Sequence, residues 1–219
     1  MSVAVIQANL GGLDNKVIHE PQTVDCDFYT FTDENFPPRD KAMLPRLQAK
    51  IPKFFGWQLT PKHDYYLWLD GNIRLDKPEA VEYLLNQIKG HDIVVLRHPD
   101  RPDIRQEVRY TRKGVNQQSR YVVSRYEGEW LKELYDVIQN DRGYKDDLLV
   151  IGGMFLYRDT PEIRNMFKEW WYYNTRYIIQ DQISFAYVLK KSGVRVKVLE
   201  HSFKDWDLIN ITRHKRNDA

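Results

Sequence analysis

An acidic turn follows an apolar run in the first half of the chain. Tyr65 to Leu69 is continuously apolar, as in a strand buried on both faces, and it ends in Asp70-Gly71-Asn72. Carboxylate and amide oxygens bind hard divalent cations, which share the rest of their coordination shell with phosphates and water. The glycine lets a bulky ligand approach the backbone. The turn therefore predicts a divalent cation beside a diphosphate, although the same three residue types also form ordinary turns.

The elements that must position this turn can be predicted from the apolar pattern. Short apolar runs alternate with amphipathic helical patterns, which is typical of a mainly parallel sheet with helices on its faces. The predicted strands are at about residues 2–8, 28–31, 65–69, 92–96, 149–157 and 194–198, and helices begin after Pro78, Thr160 and Asp181. No linker or shift in composition divides residues 1–219. We therefore expect an α/β fold in one domain, followed by a flexible basic tail at about 212–219.

Residues directly after the strands of such a sheet are candidates for ligand contact, because ligands bind beyond the carboxyl ends of the strands. The first two strands are followed by Gln7, Asn9, Thr32 and Asp33. Two basic residues of the next predicted helix can reach phosphate, although basic residues on a helix usually form a solvated face. They are Lys41 and Arg46. Later in the chain Gly152 and Gly153 interrupt a strand, either as a bulge or as bare backbone beside a ligand.

Charge and composition argue against several classes of protein. The 33 basic and 31 acidic residues leave a net charge of +2, too small a field to favour nucleic acid or a membrane surface. The first residues lack the pattern of a signal peptide, and no stretch reaches the roughly 20 apolar residues of a membrane span. Cys26 is the only cysteine, which excludes an intrachain disulfide and fits a reducing compartment. We therefore expect a cytoplasmic protein without a transmembrane segment.

The stretch 97–127 is polar and rich in arginine and tyrosine, and it is too long for a plain connection. Basic residues interleaved with aromatic ones suit a strand of nucleotides. A non-enzymatic nucleic-acid-binding domain is therefore one alternative, although the balanced overall charge favours no nucleic-acid partner.

Several short motifs, in order and spacing, resemble one family. Tyr66 to Ile73 is similar to the strand and DxD element of GT-A glycosyltransferases. The chain most resembles the glycosyltransferase-like domain family known from plant turgor and seed-mucilage proteins and from bacterial and viral chains. The other matching motifs are Arg97-His98-Pro99, Gln117, Tyr121, Glu127-Gly128, Trp170-Trp171 and Asp181 to Leu189.

The resemblance implies a GT-A fold and a role for each candidate residue. Asp70, Gly71 and Asn72 would hold Mn²⁺ or Mg²⁺ and the diphosphate of a nucleotide sugar, with His201 completing the metal site. Asn72 stands where many such enzymes carry a second acid, which weakens the expected metal site. The residues after the first two strands would hold the base and ribose, and Asp33 could accept a hydrogen bond from a uracil N–H.

The same resemblance assigns the chemistry at the sugar. Asp181, with Gln182, would place a carboxylate near the acceptor hydroxyl as a general base, while the alternative is a helix-capping aspartate. The backbone at Gly152 and Gly153 would lie against the sugar, and His98 would contact acceptor or phosphate. The Trp170-Trp171 pair has the spacing of a buried helical face and is predicted to be core.

The expected function is transfer of a sugar from a nucleotide-diphosphate sugar, with UDP-sugars favoured, to the hydroxyl of a glycan, a lipid-linked glycan or a protein. A nucleotidyltransferase is the alternative enzyme, because it can use the same kind of nucleotide domain. It usually needs a glycine- and lysine-rich phosphate loop, and residues 7–12 contain the glycines but no basic residue before Lys16.

Overall fold

Strands and helices alternate along most of the chain. A computed structural model describes residues 1–126, 128–201, 206–212 and 214, so that Glu127 of the family motif lies outside the described residues. In chain order the elements are β1 (Val3–Asn9), β2 (Cys26–Thr32), α1 (Pro45–Gln48), α2 (Lys50–Leu59), β3 (Tyr65–Asp70), β4 (Ile73–Leu75), α3 (Ala80–Gln87), β5 (Ile93–Arg97), α4 (Ile104–Asn116), α5 (Arg120–Tyr126), α6 (Leu131–Asn140), β6 (Val150–Arg158), α7 (Pro161–Arg176), α8 (Gln182–Lys191), β7 (Val196–Leu199) and β8 (Ile209–Ile211).

Six strands form the central sheet, in the order β2-β1-β3-β6-β5-β7. β1 runs parallel to β2 and β3, β5 runs parallel to β7, and β6 is antiparallel to both β3 and β5. Five strands therefore point the same way, which confirms the predicted α/β class and the mainly parallel sheet. Their carboxyl ends meet at one edge, and β6 begins at that same edge.

Both faces of the sheet are covered, which explains why the central strands are continuous apolar runs. One face packs against α2 and against α4 to α8. The other face packs against α3 and the small sheet that β4 forms with β8. Along the ladder Ala8 of β1 pairs with Asp70 of β3, so the ends of these two strands lie side by side.

The centre of the larger core is aromatic. Trp170 of α7 stacks on Phe185 of α8 with ring centroids 3.9 Å apart, and Phe155 of β6 packs on both. Thr160 caps α7 by accepting a hydrogen bond from the backbone N–H of Ile163 at 3.3 Å. Trp170 is fully buried, so the prediction that it belongs to the core is confirmed.

The polar stretch 97–127 contains two helices, α4 and α5. Asp103 begins α4 by accepting from the backbone N–H of Gln106 at 2.7 Å. Only four residues of α4 are buried, and two of them are polar. The apolar residues of α4 are therefore too few to show the helical repeat in the sequence.

Part of the expected tail is tied to the domain. The backbone N–H of Thr212 donates to the carbonyl oxygen of Asn72 at 2.8 Å. Nδ1 of His214 lies 2.5 Å from Oδ1 of Asp14. Residues 213 and 215–219 of the predicted tail lie outside the described residues. Within the described part of the chain, no helix has the length and apolar character needed to cross a membrane.

Truncation of Phe185 tests the aromatic core. Phe185→Ala leaves a cavity against Trp170 and should lower the free energy of unfolding by about 3–5 kcal/mol, measured by urea denaturation. Tyr172→Ala, on the exposed side of α7, is the control and should change it by about 0.5 kcal/mol or less. Equal losses in the two variants would contradict this view of the core.

Candidate active site

Asp70 is the last residue of β3, at the edge where the parallel strands end. The indole N–H of Trp68 donates to its Oδ1 at 2.9 Å, and the ammonium of Lys53 lies 3.5 Å from the same oxygen. The side chain is 46% exposed, although the strand that leads to it is buried. The structure thus presents one oriented carboxylate to solvent at the ligand edge of the sheet.

Gln7 of β1 stabilises the turn after Asp70 through hydrogen bonds. Its side-chain amide donates to the carbonyl oxygens of Asp70 at 3.1 Å and Ile73 at 2.7 Å, and its side-chain oxygen lies 2.8 Å from Nε2 of His19. Burial, with help from the nearby Arg74, lowers the pKa of His19 to about 4, so this histidine is neutral at pH 7. Gln7 is 3% exposed and fully occupied, and its place does not support the predicted contact with a nucleotide.

Gly71 is required by close packing. A Cβ atom at this position would lie 2.7 Å from the carbonyl oxygen of Ala8 and 2.8 Å from Oδ2 of Asp14. Asp14 is held in turn by Asn9, whose side-chain oxygen accepts from the backbone N–H of Asp14 at 3.1 Å. The amide of Asn9 donates to the carbonyl oxygen of Asp14 at 3.0 Å. Asn9 therefore closes the loop after β1 instead of projecting its amide into the site.

Asn72 and His201, two of the predicted metal ligands, make other contacts. The amide of Asn72 donates to the carbonyl oxygen of Thr212 at 3.0 Å and so anchors the chain after β8. His201 lies 2.8 Å from the hydroxyl of Tyr83 on α3 and stacks on Trp206 at 5.1 Å. The late histidine that reaches the Asp70 turn is His214, through the carboxylate of Asp14 against which Gly71 packs. Among the described residues, no contact joins His201 to Asp70.

A buried ion cluster lies behind Asp70. The ammonium groups of Lys50 and Lys53, both on α2, each lie 2.6 Å from Oδ2 of Asp181 at the start of α8. Lys53 is 1% exposed and Asp181 4% exposed. Because Lys53 also faces Asp70, one buried cation connects the two carboxylates. We call Lys50, Lys53, Asp70 and Asp181 the ion cluster.

The two lysines of the ion cluster keep Asp181 ionised. Burial alone would raise the pKa of this carboxyl group, but the charges and hydrogen bonds of Lys50 and Lys53 outweigh burial and hold the pKa well below its usual range. For Lys53, burial lowers the pKa, and the attraction of Asp181 and Asp70 raises it above the usual value. A carboxylate held this tightly is a weak proton acceptor, which argues against Asp181 as the general base. Its side chain does not cap α8 either.

Gly152 of β6 leaves room for the ion cluster. A Cβ atom here would lie 3.1 Å from Oδ1 of Asp181 and 3.4 Å from Nζ of Lys53. Gly152 and Gly153 are both buried in β6, close to the edge of the sheet at which this strand begins. The side chain that comes nearest to Gly152 is the Asp181 carboxylate.

A chain of polar side chains continues from the ion cluster toward α4. The amide of Gln182 donates to Oε1 of Glu107 at 3.2 Å, and the other oxygen of Glu107 binds Arg101. Burial raises the pKa of Glu107, and Arg101 opposes that rise. The guanidinium of Arg101 lies 2.7 Å from Nε2 of His98, whose Nδ1 accepts from the backbone N–H groups of Asp100 and Arg101. His98 is buried, so it shapes this loop, while Gln182 remains partly exposed beside Asp181.

The remaining candidates lie around the end of β2. Both oxygens of Asp33 accept from the backbone N–H of Gly11, at 3.0 and 3.1 Å, so Asp33 ties this loop to the glycine pair after β1. The backbone N–H of Thr32 donates to Asn35 at 2.8 Å. Lys41 is exposed, and Arg46 lies half-buried in α1. The start of α1 lies beside the loop after β1, because a Cβ atom at Gly11 would lie 3.2 Å from Pro45.

Three further functional candidates emerge only from the structure: Lys50, Lys53 and Glu107. The sequence instead favours Lys41 and Arg46 as the basic residues of the site. A signal was present, because Lys53 lies within the apolar run Ile51-Pro52-Lys53-Phe54-Phe55, where a lysine must be paired if it is buried. Only the fold could supply the partner, since Asp181 is 131 residues from Lys50.

The mainly parallel sheet, the carboxylate at its ligand edge and the glycine-lined loop after β1 define an α/β protein with a candidate ligand site at the carboxyl ends of its strands. The model of the TOD1/MUCI70 glycosyltransferase-like domain matches residues 37–216. The chain belongs to this glycosyltransferase family, as the sequence motifs led us to expect.

Comparison with solved structures gives weaker likenesses. The apo form of mouse xyloside xylosyltransferase 1 matches at a TM-score of 0.45 and 12% identity, over 91% of this chain and 85% of that chain. CMP:2-keto-3-deoxy-manno-octonic acid synthetase complexed with CTP matches at 0.43 and 10%, over 92% and 90%. The 4-diphosphocytidyl-2C-methyl-D-erythritol synthase of Anaerococcus prevotii DSM 20548 matches at 0.39 and 10%, over 92% and 89%. Comparison with curated proteins gives no match.

Replacement of Asp181 tests the ion cluster through its pH dependence. Asp181→Asn leaves two buried ammonium groups poorly compensated and should lower the free energy of unfolding at pH 7 by about 3 kcal/mol. Because the folded-state pKa is depressed, the stability that Asp181 contributes is present above its unfolded pKa of about 4 and is lost as the pH falls. The gap between wild type and variant should therefore narrow by about 1 kcal/mol between pH 7 and pH 3.

Urea denaturation across this pH range measures the gap. Asp136→Asn, at an exposed ion pair with Lys132, is the matched control and should show only a small gap at pH 7. A gap for Asp181→Asn that stays constant or widens on acidification would show that Asp181 is not held ionised by the two lysines.

Proposed function

We propose that this chain transfers a sugar from a nucleotide-diphosphate sugar, with a UDP-sugar as the favoured donor, to an acceptor hydroxyl, assisted by Mn²⁺ or Mg²⁺. The observation that carries the proposal is the half-exposed carboxylate of Asp70 at the carboxyl end of β3, backed by a buried cation, in a chain of a glycosyltransferase family. Such an edge is where α/β proteins bind nucleotides. A glycan, a lipid-linked glycan or a protein can supply the acceptor hydroxyl.

The donor atoms near Asp70 fit a cation that is shared with substrate. The described residues contain no group of three or more His, Cys, Asp or Glu side chains able to hold a metal ion. Mg²⁺ and Mn²⁺ commonly use one or two carboxylates and complete their shell with substrate phosphates and water. Asp70 would be the principal ligand, and Asn72 has only its side-chain oxygen left to contribute. The bound cation would neutralise the diphosphate that departs from the sugar.

The charge balance of the ion cluster supports this assistance. Its two lysines and two aspartates cancel formally, so the ion cluster by itself offers no excess positive charge behind Asp70. A divalent cation bound to Asp70 would add the positive charge that attracts a diphosphate to this cluster. Within the cluster, Asp181 is a positioning residue that holds Lys50 and Lys53, and Lys53 in turn orients Asp70.

The nucleotide end of the donor would lie over the loop after β1. Gly11 and Gly12 have positive φ angles of 72° and 63°, and the Asp33 carboxylate fixes Gly11. Both glycines are exposed, so this loop offers backbone without side chains next to the start of α1. The sugar would then lie toward Gln182, which is the partly exposed end of the chain of polar side chains.

Replacement of Asp70 tests the proposal at its centre. Wild type should show a rise in melting temperature with one class of nucleotide sugar, and the rise should need Mn²⁺ or Mg²⁺ and disappear with EDTA. In Asp70→Ala the metal-dependent affinity for that donor should fall by about 100-fold or more, because a metal ligand is lost. The Asp136→Ala variant should bind as wild type does.

The donor screen covers UDP-, GDP-, ADP- and CMP-sugars, and release of the nucleoside diphosphate reports transfer. Unchanged donor affinity in Asp70→Ala would refute the role of Asp70. Pyrophosphate release from a nucleoside triphosphate and a sugar phosphate, without transfer from any nucleotide sugar, would favour a nucleotidyltransferase instead.

A further inference from the structure

The two faces of α4 differ sharply in character. The residues that face the core are Ile104, Glu107, Val108 and Thr111. On the exposed side four cations follow the helical repeat, and we call them the basic face: Arg105, Arg109, Arg112 and Lys113. Tyr110 lies among them with 47% of its surface exposed. At about 1.5 Å per residue the basic face extends roughly 12 Å along the helix.

The four cations of the basic face lack ion-pair partners among the described carboxylates of the chain. Across residues 1–126, 128–201, 206–212 and 214, no carboxylate forms an ion pair with any of its four cations. Asp146, which lies beside the start of α4, uses its oxygens to accept from the backbone N–H groups of Ile104 and Arg105. Arg112 instead lies over the ring of Tyr135, 5.6 Å from its centroid. Like charges four residues apart, as in Arg105 and Arg109, destabilise a helix, so this arrangement works against the fold.

The basic face is continuous with the candidate active site. Glu107, on the inner side of α4, binds Gln182 at 3.2 Å and also pairs with Arg101. The guanidinium of Arg101 lies 4.3 Å from the ring centroid of Tyr110, which borders the basic face. A molecule that emerges from the site beside Gln182 would therefore pass Arg101 and Tyr110 before it reaches Arg109 and Lys113.

We propose that the basic face binds the acceptor and that the acceptor is an anionic polysaccharide. This inference rests on the proposed transfer of a sugar. Arginine and lysine attract the charged groups of such a chain, and the exposed ring of Tyr110 offers an apolar surface to a sugar ring. The net charge of +2 leaves no wider positive field beyond these four cations, which favours a glycan over a nucleic acid.

Binding to defined polymers tests the proposal with the full chain. The probes are alginate, which carries carboxylates, dextran sulfate, which carries sulfates, neutral dextran and a single-stranded DNA oligonucleotide of similar length. Wild type should bind at least one anionic polysaccharide, more weakly as salt rises, and should bind neutral dextran least. Absence of binding to both anionic polysaccharides, or tighter binding to the oligonucleotide, would overturn the proposal.

A charge-matched pair of variants locates the surface. Arg109→Glu/Lys113→Glu should bind the anionic polysaccharide about tenfold more weakly. Lys77→Glu/Lys89→Glu changes the net charge equally but alters residues that flank α3 on the other face of the sheet, and should bind as wild type does. Equal weakening in both variants would show a general charge effect and overturn the assignment to α4.

The same variants separate this proposal from the proposed function. Arg109→Glu/Lys113→Glu should retain the metal-dependent thermal shift with donor, because neither residue contacts the ion cluster. Its melting temperature should not fall, since Arg105 then faces an acid at residue 109. A wild type that binds anionic polysaccharide but no nucleotide sugar would refute the donor chemistry alone, and intact donor binding without polysaccharide binding would refute the acceptor surface alone.

Discussion

Burial of the Lys53 ammonium is the constraint on which the site depends. A charge removed from water is costly unless it is paired, and here Asp181 at 2.6 Å and Asp70 at 3.5 Å provide the pairing. These contacts join α2, β3 and α8, which are far apart in the sequence. Gly152 must lack a side chain for the same reason, because a Cβ atom would press on both Lys53 and Asp181.

The surrounding structure holds this pairing in place. The indole N–H of Trp170 donates to the carbonyl oxygen of Asp181 at 3.1 Å, so the aromatic core of α7 and α8 fixes the start of α8. On the other side, Gln7 and the Asn9 loop hold the turn after Asp70. These contacts fix the position of the Asp70 carboxylate, and about half of that side chain remains exposed. A carboxylate that binds a cation together with a substrate needs both properties.

The sequence predicted the parts of the molecule that local pattern determines. Strands such as β3 could be found because a buried parallel strand is a continuous apolar run, and Asp70 could be placed at the ligand edge because parallel strands share their direction. The ion cluster could not be found in this way, since the pairing of Lys50 with Asp181 spans 131 residues. Sequence position alone does not determine what a side chain binds: Gln7 lies within β1 and Asn72 follows β3, and the amides of both donate to backbone carbonyl oxygens.

The central claim is that Asp70 holds a divalent cation against the diphosphate of a nucleotide. Anomalous diffraction at the manganese edge, from crystals grown with Mn²⁺ and a UDP-sugar, would test it most directly. We expect an anomalous peak bonded to a carboxylate oxygen of Asp70 and to diphosphate oxygens, with the nucleoside over the Gly11-Gly12 loop. A nucleotide bound at this edge without a metal peak at Asp70, or bound elsewhere on the chain, would contradict it.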